Sequence, residues 1–120
     1  MIAPEVRATI AAVVLAHAKD RLVTTLYDYS AGDYRNIRAS FKGDTVDAYD
    51  SGRVAKMTGA LPDLFDHVLG QYIHLKPEGE RYNGFDHYSG THFHLMINGN
   101  TASLYDHDAE VWSQYSLYLR

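Results

Sequence analysis

The chain has 120 residues, a formal net charge of −4 and no cysteine. The lack of cysteine excludes disulfide bonds and thiolate zinc sites, and the acidic balance argues against nucleic acid as a partner, because phosphate-backbone binding needs concentrated Lys and Arg. Hydrophobic residues form 46% of the chain and charged residues 22%, as in ordinary globular domains. We therefore expect a single domain over residues 1–120.

The first predicted element is a helix that opens at Pro4. Proline suits the first turn of a helix, where its missing N–H costs little, and Glu5 complements the positive end of the helix dipole. Apolar residues then recur at helical spacing until the pattern ends near Asp20. The longest apolar run, Ile10 to Ala16, is far shorter than the roughly 20 residues that a membrane span requires. We expect a cytoplasmic protein that does not enter a membrane.

A second helix is predicted where the second half of the chain begins. Pro62 and Asp63 would open it. The apolar residues that follow have the spacing of one buried helix face, at Phe65, Val68, Leu69, Tyr72 and Ile73. This face is expected to bury Phe65 and Leu69 against a sheet.

The sequence around Gly43 recurs around Gly99. The segment from Phe41 to Asp50 aligns without gaps with the segment from Ile97 to Asp106, and four of the ten positions are identical. Both glycines are expected in tight hairpin turns, where glycine tolerates the positive φ that such turns need. This similarity divides the chain into two halves, residues 1–57 and 59–120.

An aromatic residue followed by aspartate punctuates the predicted strands. Four such pairs occur, namely Tyr27-Asp28, Tyr49-Asp50, Phe85-Asp86 and Tyr105-Asp106. Turn-forming residues follow each pair, and an aspartate side chain can accept hydrogen bonds from backbone N–H groups two residues further on. We interpret the four carboxylates as turn residues rather than as acid–base catalysts.

Strand alternation is clearest in the middle of each half. Alternate residues are apolar from Ile37 to Phe41 and from Phe93 to Ile97, and the last strand is predicted over Val111 to Leu119, with Trp112 on the outer face and Leu119 in the core. The predicted fold is therefore α+β. It has two similar halves, each a helix followed by an antiparallel β-meander, with both helices packed on one side of the sheet.

The clearest candidate for chemistry is the pair His92 and His94. Side chains two residues apart on a strand point to the same face, so the two rings could bind one metal ion. The nearby turns offer further ligands in His87 and His107, and zinc is the metal that this set would take. The alternative is an exposed polar strand face without a cofactor, since a pair of histidines alone is a weak metal signature.

The outer face of the predicted sheet carries unusually many amphipathic side chains. Residues of this kind are enriched at protein contacts, and we assign an interaction surface to Tyr49, Met96, Tyr105, Trp112 and Tyr118. The sequence thus favours a non-enzymatic protein-binding or assembly module that self-associates or binds another protein. The alternative is a small metal-dependent or His-based hydrolase that uses the strand of His92 and His94.

Overall fold

Residues 1–118 are described by a computed structural model with one helix and eleven strands in that range. The helix is α1 (Pro4–Lys19). The strands are β1 (Leu26–Asp28), β2 (Asp33–Arg35), β3 (Ile37–Lys42), β4 (Thr45–Asp50), β5 (Ala55–Ala60), β6 (Asp63–Asp66), β7 (Gln71–Glu78), β8 (Arg81–Asp86), β9 (Thr91–Asn98), β10 (Thr101–Asp106) and β11 (Val111–Leu117).

The strands form one antiparallel sheet that curls until its ends meet. The strand order is β2-β1-β11-β10-β9-β8-β7-β6-β5-β4-β3, so neighbours from β3 to β11 follow chain order. Val23, which lies three residues before β1, pairs with Ala39 of β3 and so brings the two ends of the sheet together. This bridge nearly closes the sheet, and a nearly closed sheet presents fewer unpaired strand edges to other chains.

Helix α1 fills the inside of this curled sheet. Every residue from Val6 to Ala16 is buried, so the helix is covered on all sides rather than along one stripe. Small residues such as Ala8, Ala11 and Ala12 are fully buried and allow strands to approach the helix closely. The helix begins at Pro4 and ends before Asp20, as predicted. No helix within residues 1–118 is long and apolar enough to span a membrane.

The prediction of two helix-and-meander halves is wrong. Residues 63–66 and 71–78 form strands β6 and β7 instead of a second helix, and the boundary between the proposed halves falls within β5. Phe65 and Tyr72 are paired across β6 and β7 on the outer face, while Leu64 and Ile73 face the core. Two short strands joined by a turn therefore produced apolar spacings that resemble those of a helix.

Five four-residue turns lie at one end of the sheet and share one construction; we call them the wide turns, and they are residues 29–32, 51–54, 67–70, 87–90 and 107–110. Each follows an aspartate that ends a strand and is itself buried: Asp28, Asp50, Asp66, Asp86 and Asp106. In every case the carboxylate accepts a hydrogen bond from the backbone N–H two residues later. The turn role predicted for four aspartates is confirmed, and Asp66 is the fifth. At the opposite end, Gly43 and Gly99 occupy tight hairpins with φ of 63° and 61°, as predicted.

The predicted alternation of the strands is also confirmed. Phe93 and Leu95 of β9 are buried in the core, whereas His92 and Met96 are exposed on the outer face. Trp112 of β11 is on the outer face as well, and Tyr115 is buried. The predicted core position Leu119 lies outside the described residues.

Candidate functional site

Aromatic triplets surround four of the five wide turns on the outer face of the sheet. Each triplet consists of the residues immediately before and after the aspartate, together with the residue six positions after the aspartate. Ring centroids within a triplet lie 4.6 to 5.0 Å from the first ring, a separation typical of favourable aromatic pairs. The triplets are Tyr27-Tyr29-Tyr34, Phe65-His67-Tyr72, Phe85-His87-His92 and Tyr105-His107-Trp112.

The triplet of β10 and β11 is enlarged by His94 of β9. We call these four residues, His94, Tyr105, His107 and Trp112, the His94 cluster. The centroid of His94 lies 5.5 Å from Tyr105 and 5.3 Å from Trp112. His94 is only 9% exposed although it points away from the core. The three neighbouring rings therefore shield an imidazole that strand alternation alone would leave in solvent.

The two histidines of the cluster are in direct contact. His94 Nδ1 lies 2.8 Å from His107 Nε2, so one ring donates a hydrogen bond to the other. Burial lowers the pKa of His94, and the charges of Arg81 and His107 lower it further. Both effects favour a neutral imidazole, because a proton on His94 would be poorly solvated and close to other positive charge.

The four predicted metal ligands fall into two groups. His87 contacts Phe85 edge-on and His92 contacts it at a tilt, whereas His94 and His107 belong to the His94 cluster. Two nitrogens bound to one tetrahedral zinc, each at about 2.0–2.1 Å, would lie about 3.3 Å apart, so the 2.8 Å contact is a hydrogen bond. Within residues 1–118, no group of three or more His, Asp or Glu side chains is arranged to hold a metal ion.

A shallow groove lies beside the His94 cluster, over strands β9, β10 and β11. We call it the outer groove. Its volume is about 570 Å³, and its lining residues are Tyr29, Ser30, Met96, Asn98, Ser103, Trp112 and Gln114. Tyr29, Met96 and Trp112 are each more than half exposed. The lining thus combines large exposed side chains with neutral amide and hydroxyl groups.

Hydrogen bonds to neighbouring strands fix one wall of the outer groove. The backbone N–H of Tyr29 donates to the carbonyl oxygen of Gln114 at 3.1 Å. The hydroxyl of Ser116 donates to the Tyr29 hydroxyl at 3.0 Å. Tyr29 directly follows Asp28, whose carboxylate holds the turn in place. The wall is therefore positioned by the same turn chemistry that shapes the fold.

The residues assigned to the interaction surface separate into three places. Met96, Tyr105 and Trp112 lie on the adjacent strands β9, β10 and β11. Tyr118 follows β11 and packs on Tyr34, with ring centroids 5.2 Å apart. Tyr49 is on β4, in another part of the sheet. Sequence reasoning missed Tyr29, which the aromatic pattern around four of the five aspartates could have revealed.

Comparison with known proteins finds no match to this chain among family models, curated proteins or solved structures. The function is therefore argued from the geometry of the chain itself.

Proposed function

We propose that this chain is a non-enzymatic binding module that holds a polypeptide segment in the outer groove. The observation that carries the proposal is the groove itself, in which Tyr29, Met96 and Trp112 are exposed around a neutral polar lining. Tyr, Trp and Met are enriched at protein contacts, and Trp and Tyr are enriched among the residues whose truncation costs most affinity.

The lining favours a polypeptide because it offers both kinds of contact that an extended chain needs. The amides of Asn98 and Gln114 and the hydroxyl of Ser103 can exchange hydrogen bonds with backbone N–H and C=O groups. The aromatic side chains can cover apolar side chains of the partner. The inside of the sheet is filled by α1, which supports binding on the outer face.

Self-association is the first form of the proposal to test. The measurement is the mass of the protein by native mass spectrometry and by light scattering over a range of concentrations. Self-association through the groove predicts a dimer or larger species in the original chain and a monomer in Trp112→Ala. Tyr88→Ala is the matched control, because Tyr88 is 62% exposed but does not line the groove.

Binding to another protein is tested with a displayed library of random peptides. Trp112 is the chain's single tryptophan and is 51% exposed, so its fluorescence reports directly on occupancy of the groove. Selected peptides should shift this emission and should lose binding in Trp112→Ala but not in Tyr88→Ala. A chain that stays monomeric and enriches no peptide that depends on Trp112 would sink the proposal.

A His-based or zinc-dependent hydrolase is the second proposal, and the contact between His94 and His107 motivates it. Zinc that binds the folded chain should raise its free energy of unfolding by RT ln(1 + [L]/Kd) and therefore raise its melting temperature. Replacing His92 and His94 with Asn and Arg should abolish that rise. A zinc-independent melting temperature would instead leave the histidines as parts of the aromatic surface.

A further inference from the structure

The outer groove crosses four neighbouring strands of the sheet. Tyr29 and Ser30, which directly follow β1, line it together with side chains of β11, β10 and β9. These strands are adjacent in the order β1-β11-β10-β9. Since neighbouring strands lie about 4.8 Å apart, the distance from β1 to β9 is about 14 Å. A segment that contacts the whole lining therefore runs across the strands rather than along one of them.

The strands beneath the groove already use their backbone hydrogen bonds. β9 pairs with β8 and β10, and β10 pairs with β9 and β11. β11 pairs with β10 on one side and, from Gln114 onward, with Tyr29 and β1 on the other. An incoming chain cannot extend the sheet across the groove, because that mode of binding needs an unpaired strand edge. The side chains of the groove must hold the partner.

The lining of the groove is uncharged. All seven of its residues have neutral side chains. A charged segment would lose hydration on entering this surface without meeting an opposite charge, and such a loss is costly. Charge complementarity therefore favours an uncharged segment as the occupant.

The polar side chains of the groove retain hydrogen-bond donors. Gln114 Nε2 donates to the Ser103 hydroxyl at 3.4 Å, and a primary amide carries two N–H groups, so one of them is left for a partner. Asn98 is exposed and offers a second amide, and Trp112 offers an indole N–H. These donors suit a partner backbone that presents carbonyl oxygens.

A proline-rich segment meets each of these requirements. Proline has no backbone N–H, so such a segment presents carbonyl oxygens and leaves few donors unsatisfied against the aromatic lining. In the polyproline II conformation the chain rises about 3.1 Å per residue, and five residues cover about 15 Å, close to the span of the groove. This conformation is largely formed before binding, so little entropy is lost, and aromatic-lined grooves are the surfaces that typically bind it.

A row of tyrosines continues the aromatic surface beyond the groove. Tyr29 contacts Tyr27, Tyr27 contacts Tyr34, and Tyr34 contacts Tyr118, with ring centroids 4.9 to 5.2 Å apart in each pair. Tyr34 and Tyr118 are exposed. A segment longer than the groove would thus meet further aromatic rings at the β1 side.

We infer that the outer groove binds an uncharged proline-rich segment of another protein in the polyproline II conformation. Proline rings pack on the exposed side chains of Tyr29 and Trp112, and carbonyl oxygens of the segment accept N–H groups from Asn98 and Gln114. This inference rests on the proposed binding of a polypeptide in the groove and specifies the class of polypeptide.

The test is a titration of the original chain with a peptide of ten prolines, capped at both ends, followed by the emission of Trp112. The control is a capped peptide of the same length with alternating threonine and glutamine, which is also uncharged but carries a backbone N–H at every residue. We expect a saturable change in emission with the proline peptide and binding of the control that is weaker by at least about tenfold.

Variants that keep the fluorescent Trp112 check the position of the peptide. Tyr29→Ala should weaken binding of the proline peptide by about tenfold, because it removes an exposed aromatic ring from the groove. Tyr29→Phe keeps the ring and should bind within about threefold of the original chain. Tyr88→Ala removes an exposed ring outside the groove and should leave binding unchanged. Equal binding by the Tyr29→Ala variant would contradict the assigned site.

The outcomes separate this inference from the proposed function on which it rests. No saturable change with the proline peptide, or equal binding of the two peptides, would overturn the inference. The binding module then stands if the chain self-associates through Trp112 or if library peptides without proline bind through it. If neither occurs, both proposals fall.

Discussion

Asp106 joins the last wide turn to the helix inside the sheet. Its Oδ1 accepts the N–H groups of Asp108 and Ala109, and its Oδ2 accepts those of Ile2 and Arg7. Burial alone would raise the pKa of this carboxyl, but the N–H groups of Ala109 and Ile2 and the guanidinium of Arg7 outweigh burial and lower it. The charged form of Asp106 therefore stabilises the folded chain.

The first prediction follows from this lowered pKa. Asp106→Asn should reduce the free energy of unfolding at neutral pH by about 3–5 kcal/mol, because it leaves Arg7 buried without its counter-charge. Asp47→Asn on the exposed face of β4 should change it by less than about 0.5 kcal/mol. Urea unfolding followed by circular dichroism gives both values, and similar losses in the two variants would contradict the assigned role.

The pH dependence of the free energy of unfolding tests the direction of this pKa change. The folded chain binds the Asp106 proton more weakly than the unfolded chain does, so its stabilisation is present above the unfolded pKa of about 3.9. It is lost as the pH falls from there through the folded value. The difference between the original chain and Asp106→Asn should therefore shrink at pH values below about 4.

His94 also makes the stability of the folded chain depend on pH, in a higher pH range than Asp106 does. Its lowered pKa means that the unfolded chain binds the proton more tightly, so stability is full above the unfolded value of about 6.5 and falls as the pH decreases through it. Replacing His94 with Gln should remove this part of the pH dependence, whereas replacing the exposed His92 should preserve it. Melting temperatures between about pH 7.5 and 5 test this prediction, and a slope that His94→Gln leaves unchanged would refute it.

At the scale of the single turn, the fourth residue after each aspartate adopts the left-handed conformation. Glycine occupies this position in three turns, at Gly32, Gly70 and Gly90, but Val54 and Glu110 occupy it in the other two, with φ of 54° and 56°. Such a φ is unfavourable for a β-branched residue. Val54 is also 69% exposed, so its side chain contributes little packing in return.

The next prediction is therefore a stabilising substitution. Val54→Gly should raise the free energy of unfolding by about 0.5–1 kcal/mol, because relief of backbone strain exceeds the extra entropy of an unfolded glycine. Val68→Gly is the control: Val68 is 55% exposed in a wide turn but its φ is not positive, so glycine should cost stability there. Urea unfolding of both variants measures these changes, and a lower free energy of unfolding in Val54→Gly would contradict the proposed backbone strain at Val54.

The sequence predicted those elements that short-range chemistry determines. The N-terminal helix, the hairpins at Gly43 and Gly99, and four of the aspartate turns follow from local patterns, and all are confirmed. The fifth turn was missed because Phe65, Val68, Leu69 and Tyr72 have helix-like spacing. Asp66 and Gly70 nevertheless have the same separation as Asp28 and Gly32, and this spacing was the available signal.

The position of the helix and the composition of the outer groove could not be read from local patterns. Helix α1 contacts β3 and β4 as well as β9, β10 and β11, which come from distant parts of the chain. Tyr29 joins Trp112 in the groove only because β1 pairs with β11. These are long-range consequences of strand pairing, which local patterns in the sequence do not determine.

At the scale of the whole molecule, the helix acts as the core around which the sheet is wrapped. Ala12 is fully buried within this core, whereas Ala18 near the end of the same helix is exposed. Ala12→Leu should reduce the free energy of unfolding by about 1–3 kcal/mol, since the added volume forces strands away from the helix. Ala18→Leu should change it by less than about 0.5 kcal/mol. Equal effects in urea unfolding would show that the strands do not enclose the helix tightly.

The enclosed helix also imposes an order on biosynthesis. Leu26 of β1 pairs with Leu117 of β11, a separation of 91 positions (117 minus 26), so this closure forms only when nearly all described residues are available. As the chain leaves the ribosome, α1 emerges before every strand that covers it. Pairing over such distances is slow, because the entropy of a long loop is lost before its contacts form. A chain halted before β11 would keep an apolar helix partly uncovered and the edges of β1 and β10 unpaired, which are the features that promote aggregation.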